Sequence, residues 1–254
     1  VNPYQKEPAV NLKISLNQVS PHELKLSERF SGIKLTTEVN ADFTGIHADD
    51  INGNLSIMDL QVENNNENHN FGNIILDWQK KGPKEKNIKL QSNFIQASVT
   101  GEFTFKDLIN NIKYSISEYL PGLIEAPEKK MPECQINAMV HIQNLDAVKC
   151  ILGTPISFGQ AAYINAFYNS KKSLTQIQVN APHIIYGTEN IKNLYVNYSG
   201  SNGFLNGNLS LAREMNQKMV HIDVNTNIQD GILYNQLHWN IPKNKKYSGT
   251  IALN

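Results

Sequence analysis

Charge is scarce in this chain of 254 residues: Asp, Glu, Lys and Arg together make 18%, below the roughly 25% of an average globular protein. Acidic and basic residues number 23 each, so the formal net charge is zero. Such a balance leaves no surplus of cations to displace counterions from nucleic-acid phosphates, and nucleic acid is excluded as a partner. Arg29 and Arg213 are the only arginines, so bidentate phosphate recognition is poorly supplied too. No apolar run approaches the roughly 18 residues of a membrane-spanning helix. Neither a signal peptide nor a lipid-anchor motif is visible, and with Val1 first and the last strand pattern cut short the chain reads as a segment of a longer one. There are two cysteines. Cys134 and Cys150 flank an expected hairpin whose turn signal, Gln143-Asn144-Leu145-Asp146, lies too near Cys150 for a bond straight across, so two buried thiols are expected.

Catalytic signatures are missing as well. The seven histidines follow no metal-ligand spacing; His69 falls in a polar loop, and His141, His221 and His238 alternate with apolar neighbours, which aims them at solvent. No phosphate-binding loop, nucleophile elbow or paired-cysteine zinc pattern occurs. Asp49-Asp50 is the one adjacent carboxylate pair, and it reads as a solvated turn. The expectation is a protein that is not an enzyme, with no cofactor and no metal.

What is abundant is asparagine, about one residue in eight, and alternation of period two. Four segments share one template of glycine, polar, apolar, polar, apolar, beginning at Gly53, Gly101, Gly207 and Gly249. Their spacings of 48, 106 and 42 residues exclude a strict solenoid. Strands are expected at 32–39, 51–62, 71–79 and 86–105, the last broken by a parity switch at Phe94-Ile95. A meander of five more is expected over 191–198, 204–211, 218–228, 232–241 and 248–253. One stretch departs from this pattern. Phe105, Leu108, Ile109, Ile112, Ile116, Tyr119 and Leu120 form a helical stripe, with Thr104 and Asp107 at capping-box spacing and Pro121-Gly122 as the stop. The chain therefore divides into a β-rich half over 1–122 that ends in this amphipathic helix, a linker over 123–133, and a β-meander half over 134–254 that continues the same sheet.

The expected fold is mainly β: a long antiparallel sheet of roughly eighteen to twenty strands at about 4.8 Å spacing, curled into a U-shaped trough because its apolar face cannot stand open to water. Such a trough suits acyl chains, whose exposure to water costs about 0.8 kcal/mol per methylene. The inward-facing candidates are Leu55, Ile57, Val99, Phe103, Phe105, Leu194, Val196, Leu209, Leu211, Leu237, Trp239, Ile251 and Leu253.

The run Lys86–Phe105 (KNIKLQSNFIQASVTGEFTF), followed by the helix to Tyr119-Leu120-Pro121, resembles the TamB-like translocation and assembly module proteins of the Bacteroidetes. Val179–Gly187 (VNAPHIIYG), Asn190–Leu194 (NIKNL), Leu237–Asn240 (LHWN) and Ser248–Ile251 (SGTI) are similar to the same family. The resemblance runs from about residue 30 to the end and implies a middle segment. It implies a periplasmic, inner-membrane-anchored envelope protein with an AsmA-like sheet, phospholipid as cargo and an outer-membrane assembly barrel as partner. Neither the anchor helix nor a barrel-docking segment of that family is recognisable here. Two other readings stand beside it. One is a scaffold or chaperone that pairs its sheet edge with unfolded outer-membrane strands. The other is a carbohydrate binder or β-helix enzyme, for which Tyr163, Phe167 and Tyr168 are the local aromatic cluster.

Overall fold

The alternation resolves into a single antiparallel sheet. A computed structural model of the chain describes residues 8–26, 28–45, 47–64, 67–119, 132–144, 155–215, 218–229, 231–241 and 245–253. It contains strands β1 (Ala9–Val19), β2 (Ile33–Thr44), β3 (Asn52–Asn64), β4 (Glu67–Lys80), β5 (Glu85–Ser92) and β6 (Ile95–Glu102), then helix α1 (Phe105–Tyr119). There follow β7 (Gln135–Ile142), β8 (Ile156–Phe158), β9 (Ala162–Asn169), β10 (Leu174–Tyr186), β11 (Glu189–Ser201), β12 (Phe204–Met215), β13 (Lys218–Gln229), β14 (Ile232–Ile241) and β15 (Lys245–Leu253). Pairing follows chain order from β1 to β15, with β8 off the path beside β10, and the sheet is not closed into a barrel.

Fewer strands form than the alternation suggests: 15 among the described residues. They are long, up to the 14 residues of β4, so the same number of residues makes fewer crossings. The segment expected as one bent strand over 86–105 is instead the hairpin β5–β6. Its parity switch marks a chain reversal, held by Ser92 Oγ, which accepts from the Ile95 amide at 3.0 Å. The alternation also passes over β1, β9 and β10. At about 4.8 Å per gap, the fourteen-strand path extends roughly 60 Å. The accessible surface of 16180 Å² compares with about 11,300 Å² for a compact chain of this mass. This is an open sheet.

β6 pairs β7 in unbroken register, Val99 opposite Ala138, so the sheet crosses the expected boundary between the two halves without a seam. Most of the expected linker lies outside the described residues, as do Pro121-Gly122 and Cys150. Helix α1 begins where expected. Thr104 Oγ1 accepts from the Asp107 amide at 3.1 Å, and Asp49 Oδ1 from the Phe105 amide at 3.0 Å. Asp49 also meets Lys86 Nζ at 3.1 Å, and Asp50 meets Lys80 Nζ at 2.9 Å. The Asp49-Asp50 pair is therefore no free solvated turn. It fastens the β2–β3 connection to β4, β5 and the start of the helix. Lys86, its side chain fully buried, also donates to the Phe103 carbonyl at 2.6 Å and lies 5.2 Å from the Phe103 ring centre.

The buried core is not one body. Phe103, Cys134, Ile136 and Tyr168 cluster under the helix start. Ile33, Val62 and Phe71 form a second cluster, and Ile142, Ala162 and Ala181 a third. Cys134 is a free, buried thiol, and burial, followed by the charge of Asp107, raises its pKa from 9.0 to about 11. Burial raises the Tyr168 hydroxyl in the same direction. Both groups hold their protons more tightly folded than unfolded. Their contribution to stability is therefore fully present below about pH 9 and is lost as pH rises through the folded value. The Cys134 contribution to that loss is about 2 kcal/mol by pH 11. Urea midpoints taken at mildly and strongly alkaline pH should separate by this amount in the native protein and by clearly less in Cys134→Ala.

Candidate functional site

Directly opposed residues in an antiparallel ladder share a face, so register assigns every strand residue to one side of the sheet. One cross-strand row starts at Leu12 and passes through Ala41, Leu55, Leu76, Leu90 and Ala97 to Val140. It continues through Ile164, Val179, Val196, Leu209, Val224 and Leu237 to Gly249. No polar side chain interrupts it across all fourteen strands. The neighbouring row on the opposite face is polar from Asn11 to Thr250, with Met139 its one apolar member. Part of the asparagine-rich composition serves this second face: Asn165, Asn197, Asn208 and Asn225 all stand in that row.

The structure brings most of the expected inward residues onto the apolar side. Leu55, Val196, Leu209 and Leu237 lie in the central row. Val99 and Ile251 belong to the next, where Ile88, Val99, Ala138, Ala166 and Ile177 stand opposite one another. Ile57, Leu194, Leu211 and Trp239 lie one step to the other side, Ile57 facing Ile74 and Trp239 stacking on Tyr247 with ring centres 5.4 Å apart. Leu253 is opposite Leu233 in backbone register. Two candidates differ in kind. Phe103 is 1% exposed and belongs to the packed cluster, not to an open wall. Phe105 begins the helix, its ring 5.6 Å from those of both Trp78 and Phe103. The other strand candidates with described side chains are half-buried, and Ile251 is 51% exposed. A filled interior would bury them.

The open space has a definite form. A cavity of about 570 Å³ lies between helix α1 and the sheet, bounded by Ile88, Val99, Ile136, Ala138 and Ile177 below and by Leu108, Ile112, Ile116 and Tyr119 above. The volume falls within the roughly 300–1,000 Å³ of ligand pockets. Helix α1 sits contrary to simple amphipathic packing. Its buried residues include Asn111, Ser115 and Ser117, while Ile109 is 56% and Ile112 45% exposed. Hydrogen bonds allow this: Ser115 Oγ donates to the Tyr168 hydroxyl at 3.0 Å, and Asn111 Nδ2 donates to the carbonyls of Asp107 and Pro132. At Gly200 a Cβ would stand 2.4 Å from the Tyr119 hydroxyl, so glycine there lets the helix end lie on β11. A second apolar pocket of about 160 Å³ is lined by Phe43, Ile51, Leu55, Leu76 and Trp78.

The apolar surface changes along its length. At β11–β13 the Tyr198 hydroxyl is 3.0 Å from Thr226 Oγ1, which donates to Asn235 Oδ1 at 2.8 Å. A Cβ at Gly207 would stand 2.4 Å from the Tyr198 ring, so this template glycine makes room for a tyrosine lying across the sheet. Trp78 Nε1 and Thr175 Oγ1, which border the two apolar pockets, are buried with no hydrogen-bond partner among the described residues. Trp78, Leu76, Val140, Ile164, Val179 and Val224 are wall residues that the candidate set omits. The alternation Ile74, Leu76, Trp78 carries the signal for two of them.

Among the described residues no three His, Cys, Asp or Glu side chains gather as a metal site, and no helix is long and apolar enough to cross a membrane. No protein-family model, curated protein or solved structure matches the chain.

Proposed function

We propose that the chain is a segment of a TamB-like envelope protein whose apolar sheet face holds and conducts phospholipid acyl chains between inner and outer membranes. The observation that carries this reading is the apolar row across fourteen strands, most of whose side chains are only half-buried although Ala41 is fully buried. Its chemistry supports passage as well as capture. Repeated Leu, Ile and Val at a constant spacing offer an acyl chain nearly equal contacts at each step, whereas one deep polar pocket would trap it. The wall offsets much of the about 0.8 kcal/mol per methylene that a lipid tail costs in water. The sequence resemblance supports a periplasmic setting, with an outer-membrane assembly barrel as partner of the longer protein.

A titration of the purified chain with a fluorescent phospholipid, followed by displacement with unlabelled lipid, tests this. Saturable binding by folded, monodisperse protein is expected, with little preference among headgroups. Absence of binding would sink the conduit reading. It would favour a scaffold that pairs unfolded strands, for which the outer edges of β1 and β15 offer unpaired ladders among the described residues.

A further inference from the structure

We propose that the polar face, opposite the lipid trough, binds a neutral polysaccharide strand across β5 to β11. Two adjoining depressions of about 410 Å³ each open on this face and share Met139 and Asn165. Their floor is sheet backbone and their walls carry seven carboxamides, Asn165 standing in both. Of the seven, Gln178 has a side-chain hydrogen bond, at 3.4 Å to the Tyr195 hydroxyl, and the side chains of the others make none among the described residues. Each carboxamide offers two donors and an acceptor with two lone pairs, which matches the alternating donors and acceptors of sugar hydroxyls. Lys89 is the only charged residue in the lining among the described residues. A lining with one cation and no carboxylate suits an uncharged ligand and is poorly equipped for phosphates, metal ions or basic peptides. An extended peptide would seek a free ladder at a sheet edge, and a face has none.

The apolar groups of this face are placed for the C–H side of a sugar ring. His141 and Tyr163 oppose one another in register and stack with ring centres 4.3 Å apart, leaving Tyr163 49% exposed. Met139, 50% exposed, stands beside them. His141 Nε2, a polar atom at the depression's wall, is buried with no hydrogen-bond partner among the described residues. The line Ser98, Met139, Asn165, Gln178, Asn197 crosses five adjacent strands, a path of about 19 Å for a linear polymer. Of the aromatic cluster named from sequence, Tyr163 and Phe167 border these depressions, while Tyr168 points to the other face and is buried.

Calorimetric titration of the full chain with chitohexaose, cellohexaose and soluble dextran, each separately, is the test. Saturable binding of at least one is expected, weakened about tenfold or more by Tyr163→Ala and by Asn165→Ala. Fluorescent-lipid binding should be unchanged in both variants, because neither residue faces the trough. Circular dichroism and the urea midpoint establish that each variant folds; Tyr163→Leu replaces Tyr163→Ala, and Asn165→Asp, which keeps size and shape, replaces Asn165→Ala, where either does not. Failure of all three glycans to bind the folded protein overturns the proposal, as does binding that both variants leave intact. Concentration-dependent self-association abolished by Tyr163→Ala also overturns it, since the face would then belong to a second copy.

Discussion

Phe103→Ala should destabilise the protein by about 3–5 kcal/mol, the range for deleting a buried phenylalanine. Phe103 is 1% exposed and packs with Cys134, Ile136 and Tyr168. Its ring also meets the Phe105 ring edge-on at 5.6 Å and lies near the buried Lys86 ammonium, while its carbonyl accepts from that lysine. Alanine would open a void and leave Lys86 relying on Asp49 and one carbonyl. The loss is comparable to the whole stability of a marginal domain. Val99→Ala, in β6 and half-buried, should cost about 1 kcal/mol. Urea unfolding followed by circular dichroism separates the two. Because β6 and β7 are joined to the rest of the sheet through their path neighbours, damage here can uncouple the sheet on either side of β6–β7. A reduced denaturant slope in Phe103→Ala would show that uncoupling. A cost below about 1 kcal/mol would mean that this cluster does not anchor the helix.

Much of this architecture is legible in the order of residues, and what is not has identifiable causes. Period-two alternation states which side chains share a face, so Leu209 and Leu211, or Leu55 and Ile57, could be grouped without coordinates. It does not state where the chain turns. A parity switch means equally a bulge or a reversal, and Phe94-Ile95 proved to be a reversal. The helix start was readable from Thr104 and Asp107, yet its orientation was not. Nothing local to α1 reveals that Tyr168, on β9, supplies the hydroxyl partner that allows Ser115 to be buried and Ile112 exposed. Asp49 similarly looked like turn material because its partners, the Phe105 amide and Lys86, are remote in sequence. Alternation also reads identically for a packed interior and an open wall. The difference between Phe103 and Val196 is set by the helix that covers one and not the other.

That ambiguity makes Leu209→Asp the most discriminating substitution. Leu209 lies in the central apolar row, opposite Val196 and Val224, and is half-buried. A carboxylate there interrupts the apolar path and must be desolvated by any acyl chain passing over it, at a cost of several kcal/mol per buried charge. Phospholipid binding measured by fluorescence titration should fall by about a hundredfold or more. The fold should survive, because a half-exposed carboxylate keeps part of its hydration when no lipid is bound. Asn208→Asp provides the comparison. It adds the same charge one residue earlier in the same strand, but Asn208 stands opposite Asn197 and Asn225 on the polar face. Lipid binding should be unaffected there. Equal losses in the two variants would trace the effect to the charge or to the strand as a whole, and the apolar face would lose its claim to the lipid. A loss confined to Leu209→Asp, with urea midpoints of the two variants alike, would tie binding to the side of the sheet that a side chain faces.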